Sequence, residues 1–404
     1  MTDANKKDMP LKGLKVLEMG QLLAGPFCAA ILAGFGAEVI KIEKTKTGDP
    51  LRVWRKLYKG SSLWWASMGR NKKSITLDMT NPKGQEIARR LAGKVDIVIE
   101  NFKPGTMEKW GMGYEDLKKI NPKVIMARVS GWGQTGPYAS RPGFANVCEA
   151  FGGMRYTSGY PDRPPVRTGT SIGDTLAGLH AALGVLTAVY HRDVNGGTGQ
   201  MIDVAIYESV FNMMESTLAE YDKLGHIRER AGAKLEGIVP TSTYPTKDNK
   251  FIIIGGNGDS IYKRLMNAAG RQDLADDPRL EHNQGRVEHE EMIDNAIEEW
   301  TLQHDYETLY QKLIEAQVPC GPVYSIADIV KDEQYKAREV WEEVELDGAN
   351  DTVKIPTILP KLSETPGRTE WIGPALGAHN EEIYRGFLEM SEAEFKQLQD
   401  EGVI

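Results

Sequence analysis

The sequence predicts an α/β protein, a doubly wound Rossmann-like parallel sheet joined to a second, smaller α+β domain. Three observations predict it. Short, almost wholly apolar runs alternate with helical stretches through the first half of the chain, and such runs belong to parallel strands covered on both faces. The joints between them are marked by glycine and proline in the positions that open and close helices. The length, 404 residues, exceeds what one ordinary core accommodates, so two domains are expected.

The elements follow in order. Residues 14–19 form a short apolar run that ends at Gly20. Pro26 opens a helical pattern over 27–33, closed by Gly34 and Gly36, and residues 39–42 make the next strand. This is a strand–helix–strand unit of the length a right-handed crossover needs. Residues 84–91 and 114–120 read as helices, and 95–99 and 124–129 as strands. Residues 131–173 are turn-rich, dense in Gly, Pro, Ser and Arg; long aperiodic segments of this kind are often functional. A strongly apolar helix is expected over 174–190, a strand over 201–204 and a helix over 208–224. The large domain is thus assigned 11–231 and the small one 232–330. Residues 331–404 return to complete the large domain, with helices over 381–388 and 392–401. The small domain is given a strand over 251–254 and helices over 260–269, 286–303 and 306–316.

Composition excludes several functions. The net charge of −8 argues against a nucleic-acid surface, which needs clustered Lys and Arg, and against attraction to anionic membranes. No apolar run of about 18 residues stands out as a membrane span. Residues 1–10 are polar, lack a signal-like apolar region and are expected to be a tail. Cys28, Cys148 and Cys320 are odd in number and far apart, so free, buried thiols in a reducing cytoplasm are expected.

The common cofactor motifs fail. Gly20-Gln21-Leu22-Leu23-Ala24-Gly25-Pro26 after the first strand is not G-x-G-x-x-G, so the dinucleotide fingerprint is missing where it belongs. Gly255-Gly256-Asn257-Gly258 reads as a tight turn. There is no phosphate-binding G-x-x-x-x-G-K-[ST] loop and no G-x-S-x-G elbow. The seven histidines are scattered, and His289-Glu290-Glu291 lacks the second histidine of a zinc motif.

What remains is a series of local blocks: Ala24-Gly25-Pro26, then Gly36-Ala37-Glu38-Val39-Ile40-Lys41-Ile42-Glu43; Asn71-Lys72-Lys73-Ser74-Ile75 with Leu77-Asp78; Glu100-Asn101-Phe102-Lys103-Pro104-Gly105; Gly131-Trp132-Gly133 with Gly136-Pro137-Tyr138; and Val318-Pro319-Cys320-Gly321-Pro322-Val323. In this order they resemble the family III CoA-transferases, which include formyl-CoA:oxalate and carnitine-type enzymes. The resemblance runs from about residue 11 to 404. It implies an interlocked dimer, usually of identical chains and in some members of paralogous ones. It also implies a reaction between an acyl-CoA and a free carboxylic acid, with no permanently bound cofactor and no metal. By the same resemblance Leu23, Ala24, Lys44, Leu77, Asn101, Phe102 and Lys109 match CoA contacts, with the two lysines suited to phosphates. Taken alone, each lysine reads as a solvated charge, and Leu23 and Leu77 as core.

Asp174 matches the family's nucleophile, with Gly173 beside it and Gln21 as a substrate contact. Without the resemblance, Asp174 reads as a helix N-cap, and Gly173 as a residue whose missing Cβ lets substrate approach. Arg155, Arg163 and Arg167 precede Asp174 and could hold the distal carboxylate of a dicarboxylate such as succinate or malate. They read equally as solvated loop residues or CoA phosphate contacts. Two departures stand out. Only Glu236-Gly237-Ile238-Val239-Pro240 occupies the place of the glycine-rich loop of formyl-CoA transferases, and Ala145 replaces an acid found in many members. The related α-methylacyl-CoA racemases would carry a histidine where this chain has Phe144, which cannot take a proton. A CoA-binding subunit without a nucleophile is disfavoured by Asp174 itself.

Overall fold

The structure is a computed structural model and describes residues 8–346 and 351–404; most of the expected tail, residues 1–7, lies outside them. The chain forms two compact units. The large one comprises the described residues up to Met154, Thr168–Glu215 and the described residues from Arg338 onward, and the small one Arg155–Arg167 with Ser216–Ala337.

In the large unit, β1 (Lys15–Glu18) leads through α1 (Ala24–Gly34) to β2 (Glu38–Glu43). A two-residue hairpin, β3 (Leu57–Tyr58) and β4 (Ser61–Ser62), and α2 (Leu63–Met68) precede β5 (Lys72–Thr76). Then come α3 (Pro82–Ala92), β6 (Ile97–Glu100), α4 (Thr106–Lys109), α5 (Tyr114–Ile120), β7 (Ile125–Ser130), α6 (Ala145–Phe151), α7 (Ile172–Asp193) and β8 (Met201–Ala205). Six strands form one sheet in the order β5-β2-β1-β6-β7-β8, and every pairing is parallel. By order of appearance this is 3-2-1-4-5-6, the doubly wound arrangement whose order reverses between the first and fourth strands.

The α/β fold is as expected. Strand β5 was not anticipated, because Lys72, Lys73, Ser74 and Thr76 hide it. It is the sheet's edge, and the returning C-terminal segment covers it. Trp371 Nε1 donates to Lys72 O (3.0 Å), His379 Nδ1 accepts from Ser74 N (3.1 Å), and Asn380 Oδ1 accepts from Thr76 N (2.9 Å). The buried Tyr384 hydroxyl donates to Thr76 O at 2.6 Å. Side chains thus satisfy backbone groups that an open edge would leave exposed. Residues 382–387 wind as a turn of π-helix, and β12 (Trp341–Leu346) pairs with β13 (Asp351–Pro356) as an antiparallel hairpin.

Helix α7 needs a correction. It is long and apolar enough, by length and composition, to cross a membrane, which the sequence reading did not grant it. Its small residues Ala177, Gly178, Ala181, Val185 and Ala188 are buried within the core shared with α1 and the sheet.

The small unit holds an antiparallel sheet ordered β11 (Cys320–Pro322), β10 (Phe251–Gly255), β9 (Thr241–Pro245). Helices Asp259–Ala268, Glu290–Thr301 and Tyr306–Glu315 pack their apolar faces with it. The helix expected over 286–303 is two, Asn283–Glu288 and Glu290–Thr301, broken at His289. Fully buried Arg286 donates to Val239 O (3.0 Å), Asn257 O (2.6 Å) and Asp259 Oδ1 (2.8 Å). It thereby ties residues 237–240 to the glycine turn.

The units divide elsewhere than at 231 and 330. The single helix expected over 208–224 is two, Ile206–Phe211 and Thr217–Leu224, and the small unit begins between them. The small unit also takes Arg155–Arg167, because Gly232 N donates to Gly159 O (2.9 Å) and Arg230 Nη1 to Tyr156 O (2.8 Å). These bonds join segments about 70 residues apart, beyond the reach of local pattern.

Candidate active site

Ligands of doubly wound sheets sit at the carboxyl ends of the strands where the order reverses. Here that crevice lies between β1 and β6, and the loops leaving those two strands begin with Gly20-Gln21 and with Asn101-Phe102. Asn101 bridges the loops. Its Oδ1 accepts from Gln21 N and its Nδ2 donates to Gln21 O, both at 2.8 Å. A Cβ on Gly20 would lie 2.8 Å from Asn101 Oδ1, so a larger residue there would displace the Asn101 amide. The Asn101 amide is therefore engaged with protein backbone, and the Gln21 side chain is the exposed group at this point.

The floor of the loop is a buried charge cluster. Lys41 Nζ contacts Glu18 Oε1 (2.7 Å), Asp49 Oδ2 (2.9 Å) and Gly20 O (2.9 Å). Lys72 Nζ contacts Glu18 Oε2 (2.7 Å) and Pro26 O (2.7 Å). Burial works against both ammonium charges. Lys41, facing Glu18, Asp49 and Glu43, is nonetheless held above the ordinary lysine range. Lys72 is pushed below it by burial, Glu18's opposing pull notwithstanding, with Lys41's charge adding to the shift. Asp49 Oδ1 and Oδ2 accept from Leu22 N at 3.1 and 3.2 Å.

Asp174 lies in the first turn of α7, and Ser171 is the N-cap. The capping expectation for Asp174 is thus corrected: it is the third helical residue. Helix α7 meets α1 one turn further on, where a Cβ on Gly178 would come within 2.9 Å of Ala24 O and of Phe27 Cδ1. This close approach brings the first turn of α1 against the second turn of α7. Gly173 has a different cause from the one expected. Its Cβ direction is filled by Glu149 Cγ (2.9 Å) and Ile206 Cγ2 (3.2 Å), so packing rather than substrate approach demands glycine. Its N–H donates to Glu149 Oε1 at 3.2 Å. Cys148 sits nearby, its thiol pushed up to about 11 by burial and by the Asp174 and Glu149 charges. Burial likewise lifts the Cys28 thiol to about 12, so both are poor nucleophiles. Cys28 and Cys148 are buried and unpaired, whereas Cys320 is free but only half-buried.

The other predicted residues divide. Leu77 is 1% exposed and Leu23 7%. Both side chains belong to apolar clusters, and Ala24 is buried with the α1 core. Phe102 donates its N–H to Glu100 Oε2 (2.7 Å) and packs edge-on against Trp110, 5.1 Å between centroids. Lys44, directly after β2, and Lys109, at the end of α4, are exposed. Both lie in connections leaving the carboxyl ends of strands. Arg155, Arg163 and Arg167 belong to the small unit and Asp174 to the large one.

Sequence reasoning missed Glu18, Lys41, Asp49, Lys72 and Glu149 as contributors. One signal was available: Lys41 stands inside the apolar strand Val39-Ile40-Lys41-Ile42, and a charge placed there needs a buried partner.

The family model described as CoA-transferase family III matches residues 11–380. The chain is 47% identical over 400 residues to a succinyl-CoA–D-citramalate CoA-transferase of Chloroflexus aurantiacus, covering 98% of each chain. It is 40% identical to the α subunit of a succinyl-CoA–L-malate CoA-transferase of the same organism, over 99% of this chain and 94% of that one. Among solved structures, a CAIB/BAIF family protein from Brucella suis superposes with a TM-score of 0.81 at 32% identity, covering 96% of this chain and 100% of the other.

Proposed function

The chain belongs to CoA-transferase family III, and from that premise we propose that it moves CoA from succinyl-CoA to a second dicarboxylic acid through Asp174. The observation that carries the reading is the position of Asp174 in the first turn of α7, one turn before that helix meets α1 at Gly178. The relatives named for citramalate and malate transfer support the dicarboxylate class.

The chemistry needs only a carboxylate and two acyl carbons. An Asp174 oxygen attacks the thioester carbonyl, and CoA leaves as thiolate, giving a mixed anhydride. The thiolate then attacks the Asp174 carbonyl carbon. This forms an aspartyl–CoA thioester and frees the first acid. The incoming acid displaces CoA from Asp174 to give a second anhydride, and the thiolate attacks that acid's acyl carbon, regenerating Asp174. One difficult exchange becomes several easier ones. A thioester is exchanged for a thioester, so no nucleotide is consumed. Each tetrahedral centre needs a hydrogen-bond donor for its oxyanion. The Gly173 N–H, already given to Glu149, is not that donor in this arrangement.

A panel of free acids against succinyl-, acetyl- and formyl-CoA tests the assignment. Succinyl-CoA with a four- or five-carbon dicarboxylate is expected to lead; monocarboxylates outrunning every dicarboxylate would overturn the acid class. We also propose that the active species is a dimer. Leu179, Leu183, Leu186 and Tyr190 form an exposed apolar stripe at helical spacing along α7, the kind of surface that association covers. Light scattering on the single purified polypeptide should give twice the chain mass. An active monomer, or activity that appears only when a second, different chain is added, would refute the homodimer.

A further inference from the structure

Residues 20–22 are held in a manner their sequence does not explain. Lys41 takes the Gly20 carbonyl, Asn101 takes both backbone groups of Gln21, and Asp49 takes the Leu22 N–H. Leu22 itself adopts φ = 62°, the left-handed region that a side chain with Cβ avoids at a cost of about 1–2 kcal/mol. Strain of this kind persists only where the surroundings over-determine it, and it gathers at functional sites. Asp49 is anchored in turn. Its carboxylate pairs with Lys41, its Oδ1 accepts from Leu51 N (2.9 Å), and its own N–H donates to Glu43 Oε2 (2.9 Å). Three side chains from three different parts of the chain thus immobilise consecutive backbone groups, and the one side chain left exposed by the turn is Gln21.

We propose that Asp49 and Asn101 are positioning residues of the transfer reaction, holding a strained turn that directs the Gln21 amide toward the reacting thioester. The proposal rests on the transferase reading. A backbone fixed from behind leaves only the Gln21 side chain to orient when charge develops on the acyl oxygen, and misplacing such a group by about 1 Å can lower the rate about a hundredfold. Asn101 therefore acts through the backbone it bonds, and Asp49 through the φ of Leu22.

The test is a double-mutant cycle on the full chain with succinyl-CoA and the best acceptor acid. Gln21→Ala, Asn101→Ala and Asp49→Asn are each expected to lower kcat about tenfold or more, with KM for the CoA thioester within about threefold. Adding Asn101→Ala or Asp49→Asn to Gln21→Ala should lower kcat no further than about twofold, because both act through the amide already removed. If the losses instead multiply, or if KM carries them, the positioning role is wrong. Asp49 is buried, so if Asp49→Asn fails to fold the Asn101→Ala arm decides the question, its side chain being only half-buried at the loop. A wild-type chain that transfers no CoA would defeat the transferase reading. A wild type that transfers CoA while the losses multiply would defeat only this inference.

Discussion

Asp174→Ala is expected to abolish CoA transfer, by at least about a thousandfold, in a protein that folds and binds CoA as the wild type does. The structure sharpens this expectation. Had Asp174 been the N-cap of α7, its loss would have cost about 0.5–2 kcal/mol, and lost activity could have been blamed on a frayed helix. Ser171 occupies that position instead. As an acid in the first turn, Asp174 contributes about 0.3–1 kcal/mol through the helix dipole. Catalysis and stability should therefore separate cleanly, with a nearly unchanged unfolding midpoint and no turnover. Asp174→Asn is expected to behave alike, since a carboxamide is no nucleophile. Wild type mixed with acyl-CoA and then hydroxylamine should be modified at Asp174, as mass spectrometry of the digest would read. Normal turnover by a folded Asp174→Ala protein would end the aspartyl mechanism.

Glu18→Ala is expected to be the most damaging change for stability. Glu18 is fully buried and neutralises two buried lysines, one with each oxygen. Removing one partner of a buried pair costs about 3–5 kcal/mol because the other charge is stranded, and here two charges lose their counter-ion. The variant should be largely unfolded or insoluble at ambient temperature. Among the described residues no other acid is bonded to Lys72, whereas Lys41 keeps Asp49. Glu18→Gln combined with Lys72→Met should consequently recover much of the stability that Glu18→Gln alone loses. Denaturant titration of the three variants measures this, and a Glu18→Ala midpoint close to wild type would show that the cluster contributes little. The same cluster sets a pH limit. Burial opposes the charge on Asp49 and Glu43, but Lys41 for the first and Arg52 for the second outweigh it and hold both carboxyls below their ordinary range. Their contribution is fully present above about pH 5 and is lost as pH falls through the folded values. Acid unfolding should therefore be steeper in the wild type than in variants lacking these pairs.

The legible part of the molecule was local. Apolar strands such as Val95-Asp96-Ile97-Val98-Ile99, the proline and glycine around α1, and the ordered blocks from Ala24 to Val323 carry their message within a dozen residues. Together they were enough for the α/β class and the family, and they supply the motif on which we propose Asp174 as nucleophile. In the small domain the strand Phe251–Gly255 and the helices Asp259–Ala268 and Tyr306–Glu315 were legible for the same reason, whereas β9, β11 and the break at His289 were not.

Tertiary structure decided whatever depends on a partner far away in the chain. Strand β5 looks polar until Lys72 is seen against Glu18, 54 positions earlier, and its edge looks open until Trp371, His379, Asn380 and Tyr384 arrive to cap it. Asn101 reads as a ligand contact from its motif, and the fold adds that its amide bonds the Gln21 backbone 80 positions earlier. Gly173 reads as room for substrate, yet Glu149 fills that room. Arg155, Arg163 and Arg167 precede Asp174 in the chain but belong to the small unit, a division that local pattern does not display. The physical reason is common to all. Periodicity and turn chemistry act over a few residues, and the sequence displays them directly. Charge neutralisation and hydrogen-bond satisfaction in a buried site are settled by whichever groups the fold brings within 3 Å, and sequence distance does not measure that.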